Sequence, residues 1–124
     1  MIDFSNAGFF KLHPADNNTF SQMITPTFVE GETIIGTYQG LRDGVVFTNK
    51  RIITINIQGI TGKKKDFTSL PYSKIQAYSI ETAGHFDLDS ELELWFSGMG
   101  KVKLEFISCA NVSEICKIIS ENVL

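Results

Sequence analysis

The chain has 124 residues, of which 43% are hydrophobic and 20% charged, a balance typical of one globular domain. Its 11 basic residues against 14 acidic residues give a net charge of −3, which argues against bulk binding to nucleic acid. The N-terminus has no basic region followed by an apolar run, and no segment approaches the roughly 20 apolar residues of a membrane span. We therefore expect a cytoplasmic protein.

Residues 1–29 are the least regular part of the sequence, and we interpret them as an N-terminal arm. Four phenylalanines occur within residues 1–25 without a sustained period, at Phe4, Phe9, Phe10 and Phe20. They either pack over the open end of the domain or dock on a neighbouring subunit, and the sequence leaves both placements open. A short helix can begin near Asp16 or Asn17 and must end before Pro26, because the residue before a proline avoids helical angles.

Residues 30–124 are predicted to form one domain that begins with seven short strands. The strands are expected at 33–38, 44–48, 52–57, 67–71, 75–81, 92–96 and 102–107. An Asp-Gly turn is predicted at 42–44, and a second turn at 48–51, where Asn49 tolerates left-handed backbone angles. Strands spaced every eight to twelve residues indicate an antiparallel sandwich or barrel.

The last segment changes period, because apolar residues recur at three- and four-residue steps at Val112, Ile115, Cys116, Ile119 and Val123. This spacing predicts a helix with one apolar face. Asn111 followed by Glu114 is typical of a capping box. We expect the helix to close the mouth of a strongly bent sheet, which gives a pleckstrin-homology-like, seven-stranded antiparallel β-barrel capped by one helix. Cys116 is expected to pack as a small hydrophobic residue.

Four segments resemble the bacterial pleckstrin-homology-like domain family, formerly a domain of unknown function. In chain order they are RDGVVFTNKRII, QGITGKKK, SLPYSKI and ETAGHFDLDSELELW. The resemblance covers about residues 30–107 and implies a seven-stranded barrel with one end covered by the C-terminal helix. It also implies a cyclic homo-oligomer without established enzymatic activity, and we expect a pentamer.

The segment at 81–95 concentrates negative charge on a predicted strand. Its carboxylates alternate with other residues, at Asp87, Asp89, Glu91 and Glu93, so they are expected to share one solvent-facing side. A calcium loop would require glycine at its sixth position and glutamate at its twelfth, where this sequence has Leu92 and Gly98. A zinc site would need another histidine or cysteine near His85. We predict no metal and no cofactor.

Six of the 11 basic residues lie between positions 42 and 65, at Arg42, Lys50, Arg51, Lys63, Lys64 and Lys65. A basic patch and the acidic segment at 81–93 can join copies head to tail, and such contacts close into rings when the rotation permits. The three adjacent lysines can instead attract an anionic membrane, or simply form a solvated charged loop.

Trp95 and Phe96 are consecutive on a predicted strand, so one side chain should enter the core and the other should point outward. An outward aromatic residue is a frequent interface anchor. The C-terminal helix or the N-terminal arm could equally cover it.

These observations predict a non-enzymatic interaction or scaffold module that assembles as a cyclic homo-oligomer. The alternative is a peripheral module that binds anionic membranes or lipids through Lys63–Lys65. No serine or cysteine lies in a nucleophile-elbow context, so no catalytic residue is predicted. The partner is expected to be a second copy, or another protein, and not nucleic acid. The candidate interaction surface comprises Arg42, Lys50, Arg51, Lys63, Lys64, Lys65, His85, Asp87, Asp89, Glu91 and Trp95.

Overall fold

The computed structural model describes residues 1, 4, 9–82, 90–107 and 110–124, and its main element is an eight-stranded sheet. The strands are β1 (Phe9–Ala15), β2 (Ile34–Gln39), β3 (Asp43–Thr48), β4 (Arg51–Gln58), β5 (Lys64–Pro71), β6 (Ile75–Glu81), β7 (Ser90–Phe96) and β8 (Gly100–Phe106). The helices are α1 (Ser21–Ile24) and α2 (Val112–Val123), and 3-10 turns occupy Thr25–Thr27 and Tyr72–Lys74. No helix in these ranges is long and apolar enough to cross a membrane.

The strand order is β5-β4-β3-β2-β1-β8-β7-β6, so β5 and β6 are the two edges of the described sheet. Neighbouring strands pair antiparallel, except that β1 and β8 run parallel. A mainly β architecture with a C-terminal helix is confirmed. The seven-stranded antiparallel barrel is wrong, because the sheet has eight strands, is mixed and is not closed.

The additional strand is β1, which lies inside the predicted arm. Phe9 and Leu12 are both fully buried although they are three positions apart. The register with β8 shifts between them, and Lys11 has a φ of 55°. A bulge of this kind breaks the two-residue alternation that identifies a strand. The division into an arm at 1–29 and a domain at 30–124 stays a prediction, although β1 joins the sheet.

The main core lies between one face of the sheet and α2. Ile115 and Ile119 on the helix are fully buried in the same cluster as Phe47 and Phe106. The ring of Tyr38 meets the Phe47 and Phe106 rings edge-on, at centroid distances of 5.7 and 5.1 Å. The predicted apolar face of the C-terminal helix is therefore confirmed.

A smaller core covers the opposite face of β3 and β4. Phe20 and Ile24, in and next to α1, pack there against Val46, Ile53 and Ile55. Alternate residues of a strand point to opposite faces, so the two cores together bury almost every side chain of β3. Phe20 thus packs on the outer face of its own sheet, a placement that the sequence did not suggest.

The two predicted hairpin turns differ from expectation in detail. The β2–β3 turn falls at residues 40–42, where the Gly40 N–H donates to the Asp43 carbonyl, while Asp43 and Gly44 already belong to β3. The turn at 48–51 is confirmed, but the positive φ predicted for Asn49 is not observed. The Asn49 side chain instead accepts a hydrogen bond from the Thr33 N–H at 2.8 Å and donates one to the Gly31 carbonyl at 2.9 Å.

Candidate functional site

The structure separates the six basic residues of the candidate surface into two groups. Arg42 and the three lysines lie where the β2–β3 turn meets the β4–β5 loop. The Arg42 guanidinium donates to the Gly59 carbonyl at 2.6 Å and so connects the two loops. Lys50 and Arg51 lie at the other end of β3, a strand of six residues that spans about 17–20 Å. The predicted basic patch is therefore two separate patches.

Arg51 is bound within the fold. Its Nε and Nη2 atoms donate to the two carboxylate oxygens of Glu32 at 2.9 and 3.0 Å, a bidentate and therefore strong geometry. Further donations reach the Ser69 hydroxyl and the Thr27 carbonyl, and the guanidinium lies 6.0 Å from the Phe28 ring. The Arg51 side chain is only 19% exposed. Its assignment to an interaction surface stays a prediction.

The Glu32 carboxylate has no solvent exposure, yet it is well satisfied. It accepts hydrogen bonds from Arg51, from the Thr48 hydroxyl at 2.7 Å and from the Val29 N–H at 3.1 Å. Burial alone would raise the pKa of Glu32, but these hydrogen bonds and the charge of Arg51 outweigh it and hold the pKa below its ordinary value. Thr48 and Arg51, in the turn at 48–51, therefore hold the segment before β2 against β4 through Glu32. This role is structural.

The predicted acidic face is present on β7, where Leu92 and Leu94 are fully buried and Glu91 and Glu93 lie on the other side. Its alternation is therefore confirmed over the described part of the segment. His85, Asp87 and Asp89 lie outside the described residues.

Lysines of β8 engage the carboxylates of this face. Lys101 Nζ lies 2.8 Å from Glu93, and Lys103 Nζ lies 3.7 Å from Glu91. The hydrogen bond from Lys101 holds the pKa of Glu93 below its ordinary value. Carboxylate oxygens of Glu81, Glu91 and Glu93 lie within 4.8 Å of one another. Among the described residues, these three side chains are close enough together to share a cation.

Trp95 is on the same outer face and is 49% exposed, whereas Phe96 is 5% exposed and belongs to the main core. The prediction that these neighbours point to opposite sides is confirmed. The indole borders a shallow depression of about 270 Å³ whose lining includes Ala77, Ser79 and Lys101. Ala77 pairs with Trp95 across β6 and β7, so the depression lies beside the β6 edge of the sheet.

Sequence reasoning missed two exposed apolar residues, Leu41 and Ile60. Their exposed fractions are 98% and 103%, and they occupy the two loops that Arg42 connects. A cavity of about 420 Å³ beside Leu41 is lined by Lys11, Arg42 and Asp43. Burial raises the pKa of Asp43, and a hydrogen bond from its own backbone N–H opposes this only in part. The sequence did contain a signal for them, because Leu41 and Ile60 are each a single aliphatic residue within a polar or glycine-rich turn.

The strand order and the C-terminal helix are those of a pleckstrin-homology-like domain. The chain matches the family described as Bacterial PH domain over residues 3–123 and belongs to that family. The resemblance noted from the sequence is thereby confirmed.

Two solved structures share this architecture at substantial sequence identity. A DUF1696 family protein with a pleckstrin-homology domain from Shewanella loihica PV-4 is 37% identical, with a TM-score of 0.82 over 93% of this chain and 99% of that one. A pleckstrin homology domain from Shewanella amazonensis SB2B is 37% identical, with a TM-score of 0.69 over 96% and 93%.

Two proteins of Bacillus subtilis strain 168 are also similar. The uncharacterized protein YjqA is 45% identical over 94 residues, which are 74% of this chain and 75% of that one. The uncharacterized protein YozO is 33% identical over 106 residues, 86% and 91% of the two chains.

Proposed function

We propose that the protein is a non-enzymatic interaction module that assembles as a cyclic homo-oligomer, with a pentamer as the expected form. The observation that carries this proposal is Trp95, which is half exposed beside a shallow depression next to the β6 edge. Tryptophan is among the residue types enriched in interface hot spots. An edge strand also offers backbone N–H and C=O groups to a second copy.

The charges at the two edges of the sheet support a head-to-tail contact. Lys64 and Lys65 begin β5 at one edge, and Glu81 ends β6 at the other. The register puts these positions at the same end of the sheet, through the successive pairs Gln58–Lys64, Asn56–Asp43, Gly44–Gln39, Gln39–His13, Leu12–Phe106, Phe106–Ser90 and Glu91–Glu81. A β5 edge laid along the β6 edge of the next copy would therefore bring opposite charges together, and repetition of this contact produces a ring when the rotation from copy to copy closes.

Truncation of the exposed indole tests the apolar part of this proposal. Trp95→Ser is expected to lower the particle mass measured by light scattering after size exclusion, because the largest exposed aromatic surface beside the edge is lost. Val29→Ser is the matched control, since Val29 is also exposed, at 57%, and lies away from β6. A Trp95→Ser variant with the unchanged wild-type oligomer mass would contradict the proposal.

Charge reversal tests the electrostatic part. The double variant Lys64→Glu/Lys65→Glu is expected to weaken assembly, and Glu81→Lys in the same chain is expected to restore part of it. Restoration would identify the two edges as partners. Equal masses for the wild type and both variants at low salt would contradict the charge contribution, because screening is weakest there.

A second candidate function is peripheral binding to an anionic membrane. Lys63, Lys64 and Lys65 are all exposed and adjacent in the β4–β5 loop and the start of β5. Each lysine near an anionic bilayer contributes roughly 1 kcal/mol. Co-sedimentation with vesicles that contain phosphatidylserine, but not with pure phosphatidylcholine, is the expected result.

A further inference from the structure

We propose that Leu41 and Ile60 are apolar tips that insert into the headgroup region of an anionic bilayer, with the basic residues around them held at its surface. This inference rests on the second candidate function above and deepens it, because it assigns the docking face and the residues that enter the lipid. It begins from the exposure of the two side chains, 98% for Leu41 and 103% for Ile60. An aliphatic side chain that is almost fully exposed is best stabilised where water is excluded.

The two tips belong to one structural unit. The Arg42 guanidinium donates to the Gly59 carbonyl, which joins the residue after Leu41 to the residue before Ile60. The Ile57 N–H also donates to the Arg42 carbonyl at 2.9 Å. These two hydrogen bonds connect the loops at their bases, so both tips project from the same end of the sheet and can meet a flat surface together.

Basic residues surround the tips. Lys11 and Arg42 line the cavity beside Leu41, and Lys63, Lys64 and Lys65 follow Ile60. Apolar side chains within a basic rim are the combination that interfacial proteins use, since the apolar groups enter the acyl boundary and the cations meet anionic headgroups. This charge complementarity favours an anionic bilayer over a neutral one.

Among the described residues, the acidic groups at this end of the sheet leave its basic side intact. Asp43 lines the same cavity as Lys11 and Arg42, so two cations accompany one carboxylate there, while Asp66 forms an ion pair with the N-terminal amine at 3.0 Å. Glu81 and Glu91 are at the same end of the sheet, but on β6 and β7, beyond β1 and β8 in the strand order. The domain should therefore tilt its basic side toward the lipid.

The first experiment measures co-sedimentation of the full chain with phosphatidylcholine vesicles that contain or lack phosphatidylserine. The variants Leu41→Ser and Ile60→Ser remove one tip each and are expected to lower the partition coefficient several-fold to about tenfold each. Leu124→Ser is the matched control, because Leu124 is 92% exposed but lies at the end of the C-terminal helix. Lys50→Glu is the charge control, because Lys50 is exposed at the far end of β3.

The second experiment reports insertion directly. The chain contains one tryptophan, so Leu41→Trp in a Trp95→Phe background places the only indole at the tip. Its fluorescence is expected to shift to the blue with phosphatidylserine vesicles and to be quenched by lipids brominated on the acyl chain.

The outcomes separate insertion from the underlying membrane function. No binding of the wild-type chain to phosphatidylserine vesicles overturns both. Binding that reversal of Lys63–Lys65 abolishes, but that both serine variants retain in full, overturns insertion and leaves electrostatic membrane binding standing. Serine variants that lower the oligomer mass without changing vesicle binding assign the tips to a contact between copies, which also overturns insertion.

Discussion

Gly44 illustrates how a single residue can be determined by a distant part of the chain. A Cβ atom at position 44 would overlap the ring of Phe20, which packs across β3 from the segment before α1. The sequence assigned Gly44 to an Asp-Gly turn, because that pair is a strong hairpin signal. The close approach of Phe20 is a tertiary contact that no local pattern encodes.

Gly44→Ala is expected to lower the free energy of unfolding by about 1–3 kcal/mol, because Phe20 is 3% exposed and has little room to move. Gly36→Ala in β2 is the matched control, since its added Cβ would meet the Tyr38 ring at an ordinary 3.5 Å. Urea denaturation of the two variants checks this. Equal losses at both positions would contradict the contact between Phe20 and Gly44.

Glu32 gives the protein a defined response to acid. Its pKa is lowered in the folded state, so the stability it contributes is present in full above the ordinary glutamate pKa. That contribution is lost as the pH falls through the lower pKa of the folded protein.

Glu32→Gln is therefore expected to lower the free energy of unfolding at neutral pH by about 3 kcal/mol, because it leaves Arg51 without its charged partner. The difference from the wild type should shrink as the pH falls through the lowered pKa of Glu32, because the carboxyl then loses its charge in the wild type as well. Urea denaturation at neutral pH and at successively more acidic pH values provides the measurement. A difference that is independent of pH would show that the charge of Glu32 is unimportant.

Elements with a regular period were predictable from the sequence, and those without one were not. The strands β2 to β8 and the helix α2 carry strand-type or helix-type patterns between turn signals, so their positions were close to those observed, although β5 begins at Lys64 and not at Phe67. The strand β1 was missed because the bulge at Lys11 breaks its alternation. The arm placement of Phe20 was also missed, because only the folded sheet provides the surface on which it packs.

The cap of α2 is a testable case at this scale. The Asn111 side chain accepts a hydrogen bond from the Glu114 N–H at 3.1 Å, as the capping pattern predicted. Asn111→Ala is expected to lower the free energy of unfolding by about 1 kcal/mol, whereas Asn111→Asp should preserve it. Thermal melts followed by circular dichroism compare the two, and equal melting temperatures for both variants would show that the cap is unimportant.

For the whole molecule, the sequence predicted the family and the general architecture, while the distribution of its surfaces required the folded chain. Lys50 is close in sequence to Arg42, yet β3 places it at the opposite end of the sheet. Leu41 and Ile60 are 19 positions apart in the chain, yet the Arg42 hydrogen bond brings their loops together. Surface patches depend on which loops the strand order places side by side, and no one-dimensional pattern contains that information.

We proposed above that the protein functions as an assembly of identical chains. Light scattering coupled to size exclusion, at low and at high salt, measures the mass of such an assembly. We expect a single species with a mass near five times the 13.8 kDa of the chain, which loses subunits as salt screens the charged edges. A monomer of 13.8 kDa under both conditions would contradict the claim.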